Sequence, residues 1–168
     1  HACIKDGAMF KLLEENGLRS FQNDPVLLNK LIQRNALLKS KVVQQDEFEK
    51  GDRKLLNFGH TLGHAIENTY QLPHGHAVTI GMVIAAYISR DIFNFNGAER
   101  IVSLIKKYGL TAFYNYDAEK ALSMMRSDKK AIKDQIQYVL LEKIGKAVIN
   151  PLTIDELRPV VQQLSTNN

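Results

Sequence analysis

The sequence predicts a mainly α, multihelical, bundle-like domain with one small β-hairpin. Apolar residues recur at helical spacing through most of the 168 residues, and the alternation typical of strands is confined to residues 136–149. Strands and helices do not alternate along the chain, which argues against a parallel sheet. With 45% apolar and 24% charged residues, the chain has the length and composition of one globular domain.

Two helices are predicted in the first third of the chain. Residues 8–15 form the first, and the Asn-Gly pair that follows ends it. Asp24 followed by Pro25 is a strong helix start, because Asp caps free backbone N–H groups and Pro lacks the N–H that would be unpaired at the first position. Leucines at helical spacing extend this long amphipathic helix to about Gln45. Residues 46–53 are highly charged, and we expect an irregular, ligand-facing turn there.

The middle of the chain is predicted to be helical at residues 57–70, 77–93, 98–108 and 117–127. A Pro-His-Gly sequence at residues 73–75 separates the first two of these helices. Residues 77–93 are apolar on nearly all sides, which is typical of a helix buried in the centre of a domain. Asp117 is the expected N-cap of the last helix in this group.

The last part of the chain changes period. Residues 136–141 and 147–149 alternate as strands do, and the turn-forming residues 143–146 between them predict a β-hairpin. Thr153, with Glu156 three residues later, forms a capping box for a final helix whose apolar residues reach Leu164.

Charge and composition restrict the partners that we expect. The net charge of +4 favours a small anionic ligand, since Lys and Arg are scattered and no basic cluster suggests nucleic acid. The longest apolar run, residues 77–88, is too short to span a bilayer, so no membrane partner is expected. With Cys3 as the single cysteine and no secretory leader in view, a reducing, cytoplasmic location is predicted.

Histidines are clustered in the centre of the chain. Four of the five fall within seventeen residues, at His60, His64, His74 and His76. His60 and His64 are four apart, so a helix would present both rings on one face, and imidazole is the commonest nitrogen ligand of zinc. A single histidine is more often a polar surface or core residue, but the cluster favours a site. Gly63 costs about 1 kcal/mol relative to Ala inside a helix, so we expect a ligand or another helix to approach there. Thr61 stands where zinc proteases of the HExxH type carry their catalytic Glu, which excludes that class.

Three motifs resemble the signature of the 3-dehydroquinate synthase family. They are DEFEKGDRKLLNFGHTLGHAIE at residues 46–67, LPHGHAV at residues 72–78 and DKK at residues 128–130. The resemblance extends over essentially the whole chain. Related cyclases of other sugar phosphates share much of it, as do metal-dependent polyol dehydrogenases more distantly.

The resemblance implies a fold, a reaction and cofactors. Residues 1–168 would be a single helical metal- and substrate-binding domain, a truncated fragment of a two-domain enzyme. The enzyme would convert 3-deoxy-D-arabino-heptulosonate 7-phosphate to 3-dehydroquinate with phosphate release, in the shikimate pathway. It would use a divalent metal, zinc or cobalt, and NAD held mainly by an amino-terminal domain absent from this chain. The full-length protein would be a homodimer, and the fragment alone would be inactive.

The resemblance also assigns roles to residues. His60 and His74 match the metal-binding histidines, whereas the third ligand of the family, a Glu, would lie upstream of His1, so a weak two-ligand site is expected. His64 matches a catalytic residue that bonds the substrate or transfers a proton, with orientation of its neighbours as the alternative. The other matches are Lys39 and Arg53 for the substrate carboxylate, Asn57 for substrate binding, Glu49 for a catalytic bond to a substrate hydroxyl, and Lys130 or its neighbour Lys129 for phosphate. His76 departs from the family pattern, which has Glu there; the change lowers metal affinity or supplies a spare donor.

Two other functions stay open at this stage. One is a related cyclase that acts on a different sugar phosphate. The other is a non-enzymatic helical module that binds a partner through a surface stripe of Leu and Ile.

Overall fold

The computed structural model describes residues 1–49, 51–127 and 135–165. Its α-helices are α1 (Ala2–Lys5), α2 (Gly7–Glu15), α3 (Leu18–Asn23), α4 (Pro25–Gln45), α5 (His60–Tyr70), α6 (His74–Phe93), α7 (Ala98–Lys107), α8 (Ala118–Ser127) and α9 (Ile154–Ser165). A 3-10 helix, Asp52–Asn57, lies between α4 and α5, and the strands β1 (Gln135–Lys143) and β2 (Lys146–Thr153) lie between α8 and α9. The predicted mainly α architecture with one hairpin is therefore confirmed.

The helix starts read from the sequence are confirmed by side-chain hydrogen bonds. Asp24 accepts bonds from the backbone N–H groups of the first turn of α4, and Asp117 accepts one from Lys120 at the start of α8. At α9 the carboxylate of Glu156 accepts the backbone N–H of Thr153 at 2.7 Å, and the hydroxyl of Thr153 accepts the N–H of Glu156 at 3.3 Å. These bonds satisfy donors that a helix start otherwise leaves unpaired.

Three boundaries differ from the prediction. The six-residue helix α3 was not expected. The predicted helix 57–70 is two elements, because the left-handed backbone of Gly59 (φ 82°) separates the 3-10 helix from α5. Helix α6 begins at His74 rather than at residue 77, since Pro73 at φ −54° leads directly into a helix.

Helix α6 is the centre of the core. Ten of its twenty residues are buried, and it packs against α5, α7, α9 and β1. The buried hydroxyl of Ser89 donates to the carbonyl of Ala85 at 2.6 Å and accepts the N–H of Leu141 at 2.9 Å, which joins α6 to β1. Within the described residues, α6 is also the one helix long and apolar enough to cross a membrane. From the sequence, its apolar run at residues 77–88 was expected to be too short for that. Its burial accounts for its apolar composition.

The hairpin is antiparallel, and its turn contacts the first helix of the chain. Val139 pairs with Ile149, and a register shift lies between Leu141 and Lys143. The backbone N–H of Gly145 in the turn donates to the carbonyl of Cys3 at 2.7 Å, so the hairpin tip rests on α1. The amino-terminal helices are thereby held against the same core as α6.

Candidate metal centre

Three histidine rings meet at the start of α5 and α6. The ring centres of His60 and His64 are 5.3 Å apart, those of His60 and His74 are 5.5 Å apart, and those of His64 and His74 are 5.8 Å apart. Three imidazoles on one tetrahedral zinc ion, each with a Zn–N bond of about 2.1 Å, would have ring centres roughly 5 Å apart. The ring centres therefore lie at separations that zinc-bound imidazoles can adopt, and the fold brings His60 and His74 together as the sequence predicts. The ligand atoms that lie within 4.8 Å of one another are those of His64, Glu67 and His74.

Glycines bring α5 and α6 close enough for this convergence. A Cβ at Gly81 of α6 would lie 1.9 Å from the carbonyl oxygen of Gly59, and one at Gly63 would lie 3.0 Å from the carbonyl oxygen of Ala77. Side chains at these positions would force the two helices apart. The close approach expected at Gly63 is thus confirmed, and the approaching group is the backbone of α6.

Two of the rings are fixed through Nδ1. His60 Nδ1 lies 3.3 Å from the carbonyl oxygen of Phe58, and His74 Nδ1 lies 2.9 Å from Oε2 of Glu67. Because a carbonyl and a carboxylate accept hydrogen bonds, both contacts require Nδ1–H on the ring. In a neutral imidazole the lone pair then resides on Nε2, the form in which a histidine can bind a metal.

Glu67 is the residue at this site that the sequence reasoning did not assign. One ligand atom each from His64, Glu67 and His74 lie within 4.8 Å of one another. Glu67 follows His64 by three residues, and this spacing places two side chains on one helix face. That spacing is the feature of the sequence that could have identified Glu67 as part of the site.

The environment of His60 favours the uncharged ring. Burial lowers its pKa, and positive charge on His64 or His74 would lower it further, while the bond to the carbonyl of Phe58 acts in the opposite direction. Metal ligation requires neutral imidazole, so a depressed pKa suits a metal-binding role.

The charged segment before the 3-10 helix folds around Asp46. Its Oδ2 accepts the backbone N–H groups of Gly51 at 2.8 Å and Arg53 at 3.0 Å. The Arg53 guanidinium donates to the carbonyl of Glu47 at 2.6 Å. The segment is therefore the irregular turn that was predicted, and Asp46 holds it in shape.

Glu49 and Asn57 are brought together beside this turn. Asn57 Nδ2 donates to Oε1 of Glu49 at 2.7 Å, and Glu49 has a left-handed backbone with φ 54°. The sequence predicted that Asn57 and His60 lie on one helix. They do not, because the break at Gly59 separates the 3-10 helix from α5.

Two other residues singled out from the sequence, Lys39 and His76, are not joined to the histidine cluster by any described contact. Lys39 is exposed on α4, and no described contact connects it to the three rings. Lys129 and Lys130 lie outside the described residues. His76 Nδ1 bonds the hydroxyl of Thr111 at 2.6 Å, 35 residues away, so that ring nitrogen is engaged outside the cluster.

Comparison with known proteins identifies relatives of this chain. The family model described as 3-dehydroquinate synthase C-terminal matches residues 1–131. A 3-dehydroquinate synthase from Dehalococcoides mccartyi (strain CBDB1) is 37% identical over 153 residues, which cover 88% of this chain and 43% of the relative. One from Lactococcus lactis subsp. cremoris (strain MG1363) is 34% identical over 168 residues, covering 96% of this chain and 47% of the relative.

Solved structures share the fold. The 2-epi-5-epi-valiolone synthase ValA from Streptomyces hygroscopicus, with NAD+ and Zn2+ bound, superposes with a TM-score of 0.83 at 21% identity, over 98% of this chain and 48% of that one. A 2-deoxy-scyllo-inosose synthase, complexed with carbaglucose-6-phosphate, NAD+ and Co2+, superposes with a TM-score of 0.72 at 25% identity, over 83% and 42%. The chain spans about half the length of the curated relatives that it matches. On the family match, the chain belongs to the 3-dehydroquinate synthase C-terminal family.

Proposed function

We propose that this chain is the metal- and substrate-binding domain of a 3-dehydroquinate synthase. The whole enzyme would convert 3-deoxy-D-arabino-heptulosonate 7-phosphate to 3-dehydroquinate and phosphate, a lyase reaction without net oxidation, in the shikimate pathway leading to chorismate and the aromatic amino acids. The observation that carries the proposal is the cluster of three histidine rings with Nδ1 of His60 and His74 already engaged. Curated relatives of the same name support the reaction.

His60 and His74 are proposed to hold the divalent metal. With Nδ1 of both rings engaged, their Nε2 atoms would supply nitrogen ligands suited to zinc or cobalt, and both ions occur in related crystal structures. When bound, the metal would act as a Lewis acid on the substrate hydroxyl that is oxidised. We assign His64 to hydrogen bonding and proton transfer at the substrate, because its ring lies beside both metal-binding rings.

The remaining polar residues are proposed to position the substrate. Arg53 supplies a planar fork for the carboxylate, and its backbone is fixed by Asp46. The Glu49–Asn57 pair offers an acceptor and a donor for substrate hydroxyls. Lys39 would assist at the carboxylate, and Lys129 or Lys130 would bind the phosphate as a point charge.

NAD is proposed to bind mainly to the amino-terminal half that the longer relatives carry. The support is that related structures hold NAD+, while the family model is that of a C-terminal domain. We propose that the whole protein is a cytoplasmic homodimer whose ligand is a small anionic sugar phosphate, with no nucleic-acid or membrane partner. The 168-residue chain alone is proposed to be inactive.

A related sugar-phosphate cyclase is the second candidate. It is favoured by the 25% identity to the inosose synthase that was crystallised with carbaglucose-6-phosphate. The two ligands differ in a way that Arg53 can detect, because the seven-carbon keto-acid phosphate carries a carboxylate and carbaglucose-6-phosphate does not. A carboxylate paired with Arg contributes a charge-assisted, bidentate bond.

Calorimetry on the zinc-loaded chain separates these candidates. We expect it to bind the seven-carbon keto-acid phosphate more tightly than carbaglucose-6-phosphate, and the preference to be reduced in Arg53→Met. Tighter binding of carbaglucose-6-phosphate would contradict the proposal and favour the second candidate. Binding of neither compound, together with unchanged zinc affinity in His60→Ala and His74→Ala, would favour a non-enzymatic module. Phosphate release by the chain alone, supplied with NAD+ and zinc, would refute its inactivity.

A further inference from the structure

Glu67 is placed against His74 by the reversal of the chain between α5 and α6. Gln71 adopts a left-handed conformation (φ 54°) and donates its backbone N–H to the carbonyl of Glu67 at 2.8 Å, which ends α5. Pro73 is the N-cap residue of α6, so His74, the first residue of that helix, returns to the last turns of α5. The Glu67 side chain is only 29% exposed, and its Oε2 accepts His74 Nδ1–H at 2.9 Å. The contact is therefore built by two helix ends, not by a flexible loop.

We propose that Glu67 is a positioning residue: it holds His74 as the Nδ1–H tautomer and aims Nε2 at the metal. This inference rests on the metal site of the proposed function. A carboxylate on the far nitrogen of a metal-binding histidine fixes the ring orientation and raises the basicity of the ligating nitrogen. His60 has the same arrangement with a neutral partner, since its Nδ1 faces the carbonyl of Phe58.

The competing role for Glu67 is direct ligation of the ion. Its carboxylate is close enough to His64 and His74 for that chemistry. Positioning is favoured because Oε2 already bonds Nδ1 of His74, and this bond leaves the ring with one free nitrogen for the metal. Glu67→Gln distinguishes the two roles. The amide oxygen of Gln accepts a hydrogen bond well, so it can replace the carboxylate in positioning His74, but it is a weak zinc ligand and cannot replace it in binding the ion.

Glu67→Gln and Glu67→Ala therefore test the inference, with Asn68→Ala, at the exposed neighbouring position, as the control. Long-range 1H–15N NMR of the metal-free chain should show His74 with its proton on Nδ1 in the wild type and in Glu67→Gln, and mixed tautomers in Glu67→Ala. Affinity for Co2+, measured by competition with a chelator, should fall about 10- to 100-fold in Glu67→Ala. It should stay close to the wild-type value in Glu67→Gln and in the control.

Each result has a distinct meaning. An equal loss of Co2+ affinity in both Glu67 variants would overturn positioning and assign Glu67 as a ligand. Unchanged affinity and tautomer in Glu67→Ala would overturn any role for it. If His74→Ala binds Co2+ as the wild type does, the proposed metal site itself fails, which separates that failure from failure of the inference. Circular dichroism of every variant verifies that it is folded.

Discussion

Gly81→Ala is expected to destabilise the domain and to disturb the histidine cluster together. The added Cβ would lie 1.9 Å from the carbonyl oxygen of Gly59, about 1.5 Å closer than the 3.4 Å at which ordinary contact begins. Neither partner is a flexible side chain, so α5 and α6 must separate. Overpacking of this kind costs about 1–3 kcal/mol or more, and the better helix propensity of Ala returns about 1 kcal/mol. Because the clash is severe, we expect the upper end of this difference, a fall of about 2 kcal/mol in the free energy of unfolding.

Two other glycines supply matched comparisons. A Cβ at Gly75, also in α6, would meet nothing within 4 Å, and one at Gly63 would lie 3.0 Å from the carbonyl of Ala77. Urea unfolding followed by circular dichroism should therefore rank the variants Gly75→Ala, Gly63→Ala and Gly81→Ala from least to most destabilised, and Co2+ affinity should follow the same order. Equal stability of Gly75→Ala and Gly81→Ala would refute the reasoning.

Four further predictions follow from individual contacts and exposures. Asp46→Ala removes the acceptor of two backbone hydrogen bonds, so it should lower the free energy of unfolding by about 1–2 kcal/mol and weaken substrate binding in calorimetry. The control Glu47→Ala keeps the backbone carbonyl that Arg53 bonds, so it should change neither quantity. The buried hydroxyl of Tyr138 has no hydrogen-bond partner among the described residues, whereas that of Tyr116 donates to the carbonyl of Val161 at 2.9 Å. In urea unfolding, Tyr138→Phe should therefore be neutral or stabilising, and Tyr116→Phe should lower the free energy of unfolding by about 1 kcal/mol. Burial raises the pKa of Tyr138, so stability should fall as the pH rises above about 10, where the unfolded phenol ionises, and fall less steeply in Tyr138→Phe. Helix α4 leaves most of its side chains in solvent: only Val42 is buried, and Ile32 is 54% exposed. Because exposed apolar surface favours association, we expect the chain to self-associate through α4. Ile32→Glu should then reduce the mass measured by light scattering.

The sequence predicted those features that depend on nearby residues. The N-cap at Asp24, the capping box of Thr153 and Glu156, and the hairpin are all local, and the structure shows each of them. The convergence of His60 and His74 was also predicted, because the family motif and the break at Pro73 both indicated it.

Tertiary contacts account for what the sequence did not show. The left-handed backbone of Gly59 interrupts a pattern that is helical by periodicity, and it is set by the approach of Gly81, more than twenty residues away. The bond between Glu67 and His74 depends on the angle at which the chain reverses at Gln71, which periodicity does not specify. Boundaries and pairings that depend on a second element were therefore beyond local reasoning.

Binding of one ion by both His60 and His74 is tested most directly by anomalous diffraction from crystals of the chain grown with Zn2+. We expect one anomalous peak about 2.1 Å from Nε2 of each ring. A peak bound by only one of the two rings, or the two rings turned apart with no zinc between them, would contradict the metal centre proposed for this domain.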